Sequence, residues 1–208
     1  PTLRVTAEDK EGITLNGRAA DGPLVRVLDA AKIDPVAVVN TGTRAATLTL
    51  TTYGVPEVAE PAGGNGYAIA RSYYTMEGVA VSLSDGVKAG TRLVTVLEVT
   101  PFGNAQARLM VSDPLPAGFE IDNPNLLRGG QVSALDWVDP LNDVTHSEFR
   151  QDRFLSAVDW GGNAAFRLAY IVRAVSPGEY RHPAASVEDM YRPDFRARSD
   201  AGRVVIVE

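Results

Sequence analysis

The sequence predicts an all-β protein: an Ig/fibronectin-like antiparallel β-sandwich with an additional smaller β segment at the N-terminus. Three observations carry this. Short runs rich in Val, Thr, Leu, Ile and Tyr recur along the whole chain. Clusters of Gly, Pro, Asp and Asn interrupt them at short spacing. No amphipathic pattern persists for four helical turns.

The elements follow in order. Leu3–Thr6 and Gly12–Leu15 are β-like pieces separated by Glu8-Asp9-Lys10. Leu24–Leu28 and Val36–Asn40 come next, with Ala30-Ala31-Lys32 between them fitting a single helical turn. Ala46–Thr52 alternates Leu48 and Leu50 with Thr47, Thr49 and Thr51, the pattern of a half-buried strand. Gly54–Gly66 then brings Pro56, Pro61, Gly63, Gly64 and Gly66 with few large apolar residues. It reads as a connection, which places a boundary near residue 57 and divides the chain into 1–57 and 58–208.

The second part is richer. Tyr67–Thr75 is aromatic and β-forming and ends at the turn Met76-Glu77-Gly78. Thr91–Val99 is a continuous β-forming run, expected to be central and buried on both faces. Ala105–Val111 sets Ala107, Leu109 and Val111 against Arg108, Met110 and Ser112, and Asp113-Pro114-Leu115-Pro116-Ala117-Gly118 ends it. Residues 121–147 are irregular and predict a crossing loop with a short helix near Val132–Trp137. Phe149–Trp160 carries Phe154 and Val158 on one side of an extended segment. Ala164–Val175 aligns Phe166, Leu168, Tyr170 and Val172 against Arg167, Ala169, Ile171 and Arg173. Pro177-Gly178 turns the chain into Tyr180–Ser186, and Arg203–Val207 supplies a last strand.

Composition excludes several chemistries. There are 208 residues and no cysteine, so this chain holds no disulfide, thiolate metal site, cysteine nucleophile or thioester of its own. Only His146 and His182 offer imidazole, and both read as structural or exposed. The net charge of −6 argues against nucleic acid or an anionic membrane as partner. Residues 146–208 hold nine Arg and nine acids, so the charge resides in 1–145. With 17 Arg and three Lys, the basic set reads as a coding bias. No apolar run approaches the roughly 20 residues that span a bilayer. A start at Pro1, without a signal-like segment, reads as a fragment of something longer, any anchor lying outside it.

Known motifs are equally scarce. Gly63-Gly64-Asn65-Gly66 has no following Lys and no helix, so it reads as a linker or hairpin turn rather than a phosphate loop. H-E-x-x-H, G-x-S-x-G and EF-hand patterns do not occur. The acid pairs Glu188-Asp189 and Asp136 with Asp139 read as solvated loop carboxylates before calcium ligands. No cofactor or metal is expected. The most informative stretch is the loop Pro183–Pro193, with Glu188, Asp189, Met190, Tyr191 and Arg192. Met190 and Tyr191 side by side either offer polarizable, amphipathic contact area or pack back onto their own domain.

These residues carry a resemblance. Asp152-Arg153-Phe154…Asp159, then Tyr170–Gly178, then Val187-Glu188-Asp189-Met190-Tyr191-Arg192-Pro193 resemble the C-terminal end of bacterial α2-macroglobulins. Asp113–Glu120 and Tyr73–Gly78 fit the same macroglobulin-like domain, and the match runs in order over residues 60–208. Residues 1–57 are similar to the second half of the split CUB domain of that family. The resemblance implies a non-catalytic, periplasmic domain of a large protease trap, anchored to the inner membrane outside this segment. Bait cleavage in such proteins exposes a Cys–Gln thioester of another domain, which couples to the protease. Here the implied partners are the thioester domain of the same parent chain and, through the parent, proteases. Tyr191 with Met190 matches the position that shields the thioester from water, and Glu188, Asp189 and Arg192 are expected to form a polar rim. An Ig-like module of a bacterial surface adhesin is the alternative; three lysines without a partner pattern speak against its isopeptide bond. A β-fold hydrolase would need a nucleophile, base and oxyanion donor that no spacing supplies.

Overall fold

A computed structural model describes residues 2–7, 12–19, 25–29, 37–53, 58–103, 105–122, 136–139 and 144–208. Ala30-Ala31-Lys32 and Val132–Leu135 lie outside the described residues; Asp136 and Trp137 form a turn. The described residues are all-β, and among them no helix is long and apolar enough to cross a membrane. Two compact units are present, Pro1–Val58 and Ala59–Glu208.

The first unit holds two small sheets. Strand β1 (Thr2–Ala7) is central between β4 (Val25–Asp29) and β6 (Leu48–Tyr53), antiparallel to both. Strand β2 (Ile13–Leu15) lies between β3 (Arg18–Ala19) and β5 (Val38–Asn40). Ile13 and Leu15 are buried there. The half-buried reading of β6 needs correction at Leu48, which keeps 40% of its surface exposed. A strand face is buried only where another layer lies on it, whatever its alternation.

The second unit is the sandwich. One sheet has the order β13 (Phe119–Ile121), β16 (Phe166–Ala174), β11 (Arg92–Pro101), β8 (Tyr67–Tyr74), β9 (Ala80–Val81). The other runs β14 (His146–Phe149), β15 (Arg153–Trp160), β12 (Ala107–Pro114), β18 (Ser186–Asp189), β19 (Arg196–Arg198), β7 (Gly63–Asn65). Neighbours in both sheets are antiparallel. A third sheet places β20 (Gly202–Val207) between β10 (Val87–Lys88), parallel to it, and β17 (Gly178–His182), antiparallel to it.

Alternation decides which side chains meet. Leu93, Leu97 and Val99 of β11, with Phe166, Leu168, Tyr170 and Val172 of β16, pack against Leu109, Val111, Phe154, Val158 and Val187 of the other sheet. Phe154 of β15 stacks on Tyr170 of β16 with ring centroids 4.4 Å apart, and Trp160 meets Phe166 at 4.7 Å. Burying a side chain of this size contributes roughly 1.5–3 kcal/mol.

Strand β11 is buried on both faces. Val94 and Val96, with Ile171, form a second apolar cluster against Tyr74, Met76 and Val138. Trp137 seals it, lying 5.1 Å from the Tyr74 ring and donating its indole N–H to the Met76 carbonyl at 3.0 Å. Part of the stretch read as a crossing loop therefore covers the outer face of the sheet.

Three local readings are corrected. Gly63-Gly64-Asn65 is an edge strand paired with β19, not a linker or hairpin turn. Glycine is needed because a Cβ on Gly64 would stand 2.5 Å from both the Ala197 Cβ and the Tyr67 carbonyl oxygen. Gly66, at φ +77°, then turns the chain under the Phe195 ring. His146 sits on strand β14 rather than in a loop. Strand β12 continues through Asp113 and Pro114, and Asp113 points inward.

Candidate functional site

The five residues singled out in the sequence come together at the tip of one hairpin. Only part of Pro183–Pro193 is loop: Ser186–Asp189 is strand β18, and Met190 and Tyr191 make the turn that starts the return to β19. The Met190 amide donates to the Arg108 carbonyl on β12 at 2.8 Å. The Arg192 amide donates to the Asp189 carbonyl at 3.1 Å, and the Phe195 amide to the Arg192 carbonyl at 2.8 Å. The tip is thus hydrogen-bonded at short intervals.

Along β18, Val187 and Asp189 face inward while Glu188 and Met190 face outward. That alternation corrects the expected role of Asp189. It is 1% exposed and is no rim residue. Its carboxylate accepts from the Tyr191 amide at 3.0 Å and from Arg192 Nε at 2.7 Å, with Arg192 Nη2 at 2.6 Å. A buried carboxylate must be paired to be tolerated, and here the pairing closes the turn. Burial and the neighbouring Asp189 charge raise the Tyr67 phenol above its ordinary value, while Arg192 opposes them. Glu188 remains exposed and Arg192 half-buried.

With Asp189 fixing the backbone, Met190 and Tyr191 project outward, exposed by 52% and 72%. Of the two outcomes open in the sequence, presentation of contact area is the one observed. The Arg108 guanidinium carbon lies 5.8 Å from the Tyr191 ring centroid, and Arg108 Nη1 is 3.4 Å from its hydroxyl. The Arg192 guanidinium covers the Phe195 ring at 5.1 Å and donates to the Gln106 carbonyl at 3.2 Å.

Sequence reasoning missed two further exposed aromatics near the tip. The Phe195 ring closes over Gly66, and the Phe102 amide donates to the Gly66 carbonyl at 2.9 Å. Both sit at the margin of an element, Phe102 just past the end of β11 and Phe195 between Pro193-Asp194 and the start of β19. That placement was the available signal.

Glu188 and Asp189 point to opposite faces of β18, and among the described residues no group of three or more His, Asp or Glu is arranged to hold a metal.

A second polar group lies in the core and was also missed. Arg71 of β8, Asp113 of β12 and Tyr170 of β16 occupy inward positions on facing sheets. Asp113 accepts from Arg71 Nη1 at 2.5 Å and from the Tyr170 hydroxyl at 2.7 Å, and Arg71 Nη2 reaches the Pro183 carbonyl at 2.8 Å. Side-chain exposure is 6% for Arg71 and 0% for Asp113. Burial raises the Asp113 carboxyl above its usual value, against the pull of Arg71 and the hydrogen bonds. Beside them, the His182 ring lies 3.0 Å from the Tyr73 hydroxyl through Nε2. Burial, and to a lesser degree Arg71, lowers the His182 pKa to about 3. His146 is exposed and 3.4 Å from Glu148. The two imidazoles thus have separate surroundings, one buried against Tyr73 and one on the surface beside a carboxylate.

Residues 66–194, which include the hairpin tip, match the family model of the bacterial alpha-2-macroglobulin MG10 domain. The chain belongs to the bacterial alpha-2-macroglobulins. It is similar to the alpha-2-macroglobulin of Xylella fastidiosa strain 9a5c, 36% identical over 158 residues, covering 73% of this chain and 9% of that protein. The alpha-2-macroglobulin of Escherichia coli K12 is 32% identical over 188 residues, covering 86% and 11%. In structure the chain resembles Salmonella alpha-2-macroglobulin reacted with methylamine, with TM-score 0.76, 32% identity and coverage of 100% of this chain and 13% of that one. It also resembles E. coli alpha-2-macroglobulin activated by porcine elastase, with TM-score 0.67, 27% identity and coverage of 100% and 18%. This alpha-2-macroglobulin segment therefore spans about a tenth of the length of its curated relatives. Membership in the family sets the adhesin alternative aside.

Proposed function

We propose that this chain is the non-catalytic C-terminal region of a periplasmic alpha-2-macroglobulin protease trap, and that its hairpin tip packs on the thioester domain of the same parent chain. There it keeps water from the thioester until a protease cleaves the bait. The parent meets the proteases; this chain contributes the cover. Residues 1–57 then correspond to the second half of the CUB domain.

The observation that carries this reading is the pair Met190 and Tyr191, adjacent and exposed on a turn that buried Asp189 holds. A thioester survives in water only where solvent is excluded, and an aromatic ring beside a thioether excludes it well. With no cysteine, the chain cannot itself carry the thioester. The Salmonella relative's reaction with methylamine, an amine nucleophile, fits an electrophilic acyl group elsewhere in such proteins. The cover must also come away, which suits a small contact with polar surroundings, supplied here by Glu188 and Arg192.

Tyr191→Gly in the full-length parent tests the proposal. The expected result is faster appearance of free thiol in protein that no protease has touched. The 208-residue chain carrying the same change should keep its stability within about 0.5 kcal/mol, as exposed positions do. An unchanged thiol rate refutes the shielding role.

A further inference from the structure

The geometry points to Arg108 as the residue that positions Tyr191 in the cover; this rests on the shielding reading above. Arg108 lies on the outward face of β12, next to the registered pair Leu109 and Asp189, so it stands beside the start of the turn. Its carbonyl receives the Met190 amide at 2.8 Å. Its side chain reaches over the same turn, the guanidinium carbon 5.8 Å from the Tyr191 ring centroid and Nη1 3.4 Å from the hydroxyl. On the other side, Asp159 of β15, its register partner, holds Arg108 Nε at 3.3 Å. One residue thus fixes the backbone of Met190 and the ring of Tyr191 from a strand in the sheet.

The physical need is clear. Asp189 pins the Tyr191 amide but leaves the side chain free to turn about its own bonds. An exposed ring that samples several rotamers loses entropy when it docks, and a ring already held loses less. Asp189 and Arg108 have complementary roles. The first sets where the turn is, and the second sets where the ring points. A guanidinium suits the second role because it is planar, can lie over an aromatic face and still offers an N–H to the hydroxyl. Lysine keeps the charge and loses the plane.

The test uses the full-length parent, unactivated, with methylamine as the probe and free thiol as the readout. Arg108→Ala should speed methylamine reaction about two- to five-fold, the scale of one exposed cation–π contact. Arg108→Lys should recover part of that. In a Tyr191→Gly background, Arg108→Ala should add nothing, since no ring remains to position. Melting temperatures of all variants serve as the structural control. If Tyr191→Gly accelerates the reaction and Arg108→Ala does not, the positioning role is refuted and shielding by Tyr191 stands. Additive effects of the two changes likewise overturn it, because they mean Arg108 acts elsewhere. If Tyr191→Gly itself has no effect, the shielding reading fails first.

Discussion

Acid should destabilise the sandwich through His182, and the size follows from its surroundings. The ring is buried against the Tyr73 hydroxyl beside the Arg71 guanidinium, so its pKa falls from 6.5 to about 3. Unfolded, the imidazole binds a proton below 6.5; folded, it refuses one until about 3. Between those values the unfolded state holds more protons, so stability is complete above pH 6.5 and declines as the pH falls. At about 1.36 kcal/mol per unit, lowering the pH from about 7.5 to about 4.5 removes about 2–3 kcal/mol. With a urea slope of about 2 kcal/mol/M, the midpoint falls by about 1 M. A cavity of about 460 Å³ is lined by Tyr73, His182 and Arg203. Urea titrations at the two pH values provide the assay. The chain's two tryptophans, Trp137 and Trp160, both lie in the second unit, so their fluorescence reports on the sandwich. Other groups titrate as well. Asp113, raised by burial, gains stability on acidification, whereas exposed Glu148 and Asp152, lowered by hydrogen bonds from Arg150 and Arg153, lose it. His182→Gln leaves these in place and keeps a partner for Tyr73. The acid-induced loss should be smaller in that variant by about 2–3 kcal/mol; equal losses in the two proteins refute the assignment to His182.

Two further outcomes concern the core and the sheet edge. Asp113→Ala leaves the Arg71 guanidinium buried without its carboxylate and the Tyr170 hydroxyl without its acceptor. Breaking such a pair costs about 3–5 kcal/mol, which calorimetry should read as a fall of about 6–20 °C in Tm; a change of less than about 2 °C would contradict the role given to the pair. Gly64→Val should cost about 1–3 kcal/mol in chemical denaturation, because even its Cβ would stand 2.5 Å from the Tyr67 carbonyl oxygen. Gly103→Ala is the control, having nothing within 4 Å of the added carbon, and should be near neutral.

How much was legible varied with the kind of signal. Strands β8, β12, β15 and β16 were readable because apolar residues repeat every second position on a covered face. The burial of β11 on both faces was readable from its continuous run of β-forming residues, with Leu93, Val94, Val96 and Leu97 on both sides of the strand. Strand β7 was not, because Gly-Gly-Asn carries no hydrophobic period and its pairing with β19 depends on residues far along the chain. The same alternation that marked the core also placed Arg71, Asp113 and Tyr170 inward. Extending the count one step past Val111 would have exposed Asp113 as a buried carboxylate. At the site, the residue types of the hairpin tip were chosen from the sequence, but Asp189 was assigned to the rim. Its true place depends on the phase of β18, which begins only at Ser186.

By itself, the sequence determined the all-β class, the order of the main strands, the absence of thiol chemistry and the resemblance carried by Val187–Pro193. These rest on composition, on period and on residues close together in the chain. Only the tertiary structure decided that Asp189 is buried and Tyr191 exposed, that Arg108 stands over the ring, and that one ion pair bridges the two sheets. Each of those outcomes depends on which strands become neighbours, and strand pairing across long separations is an energetic choice of the whole fold that no local pattern encodes.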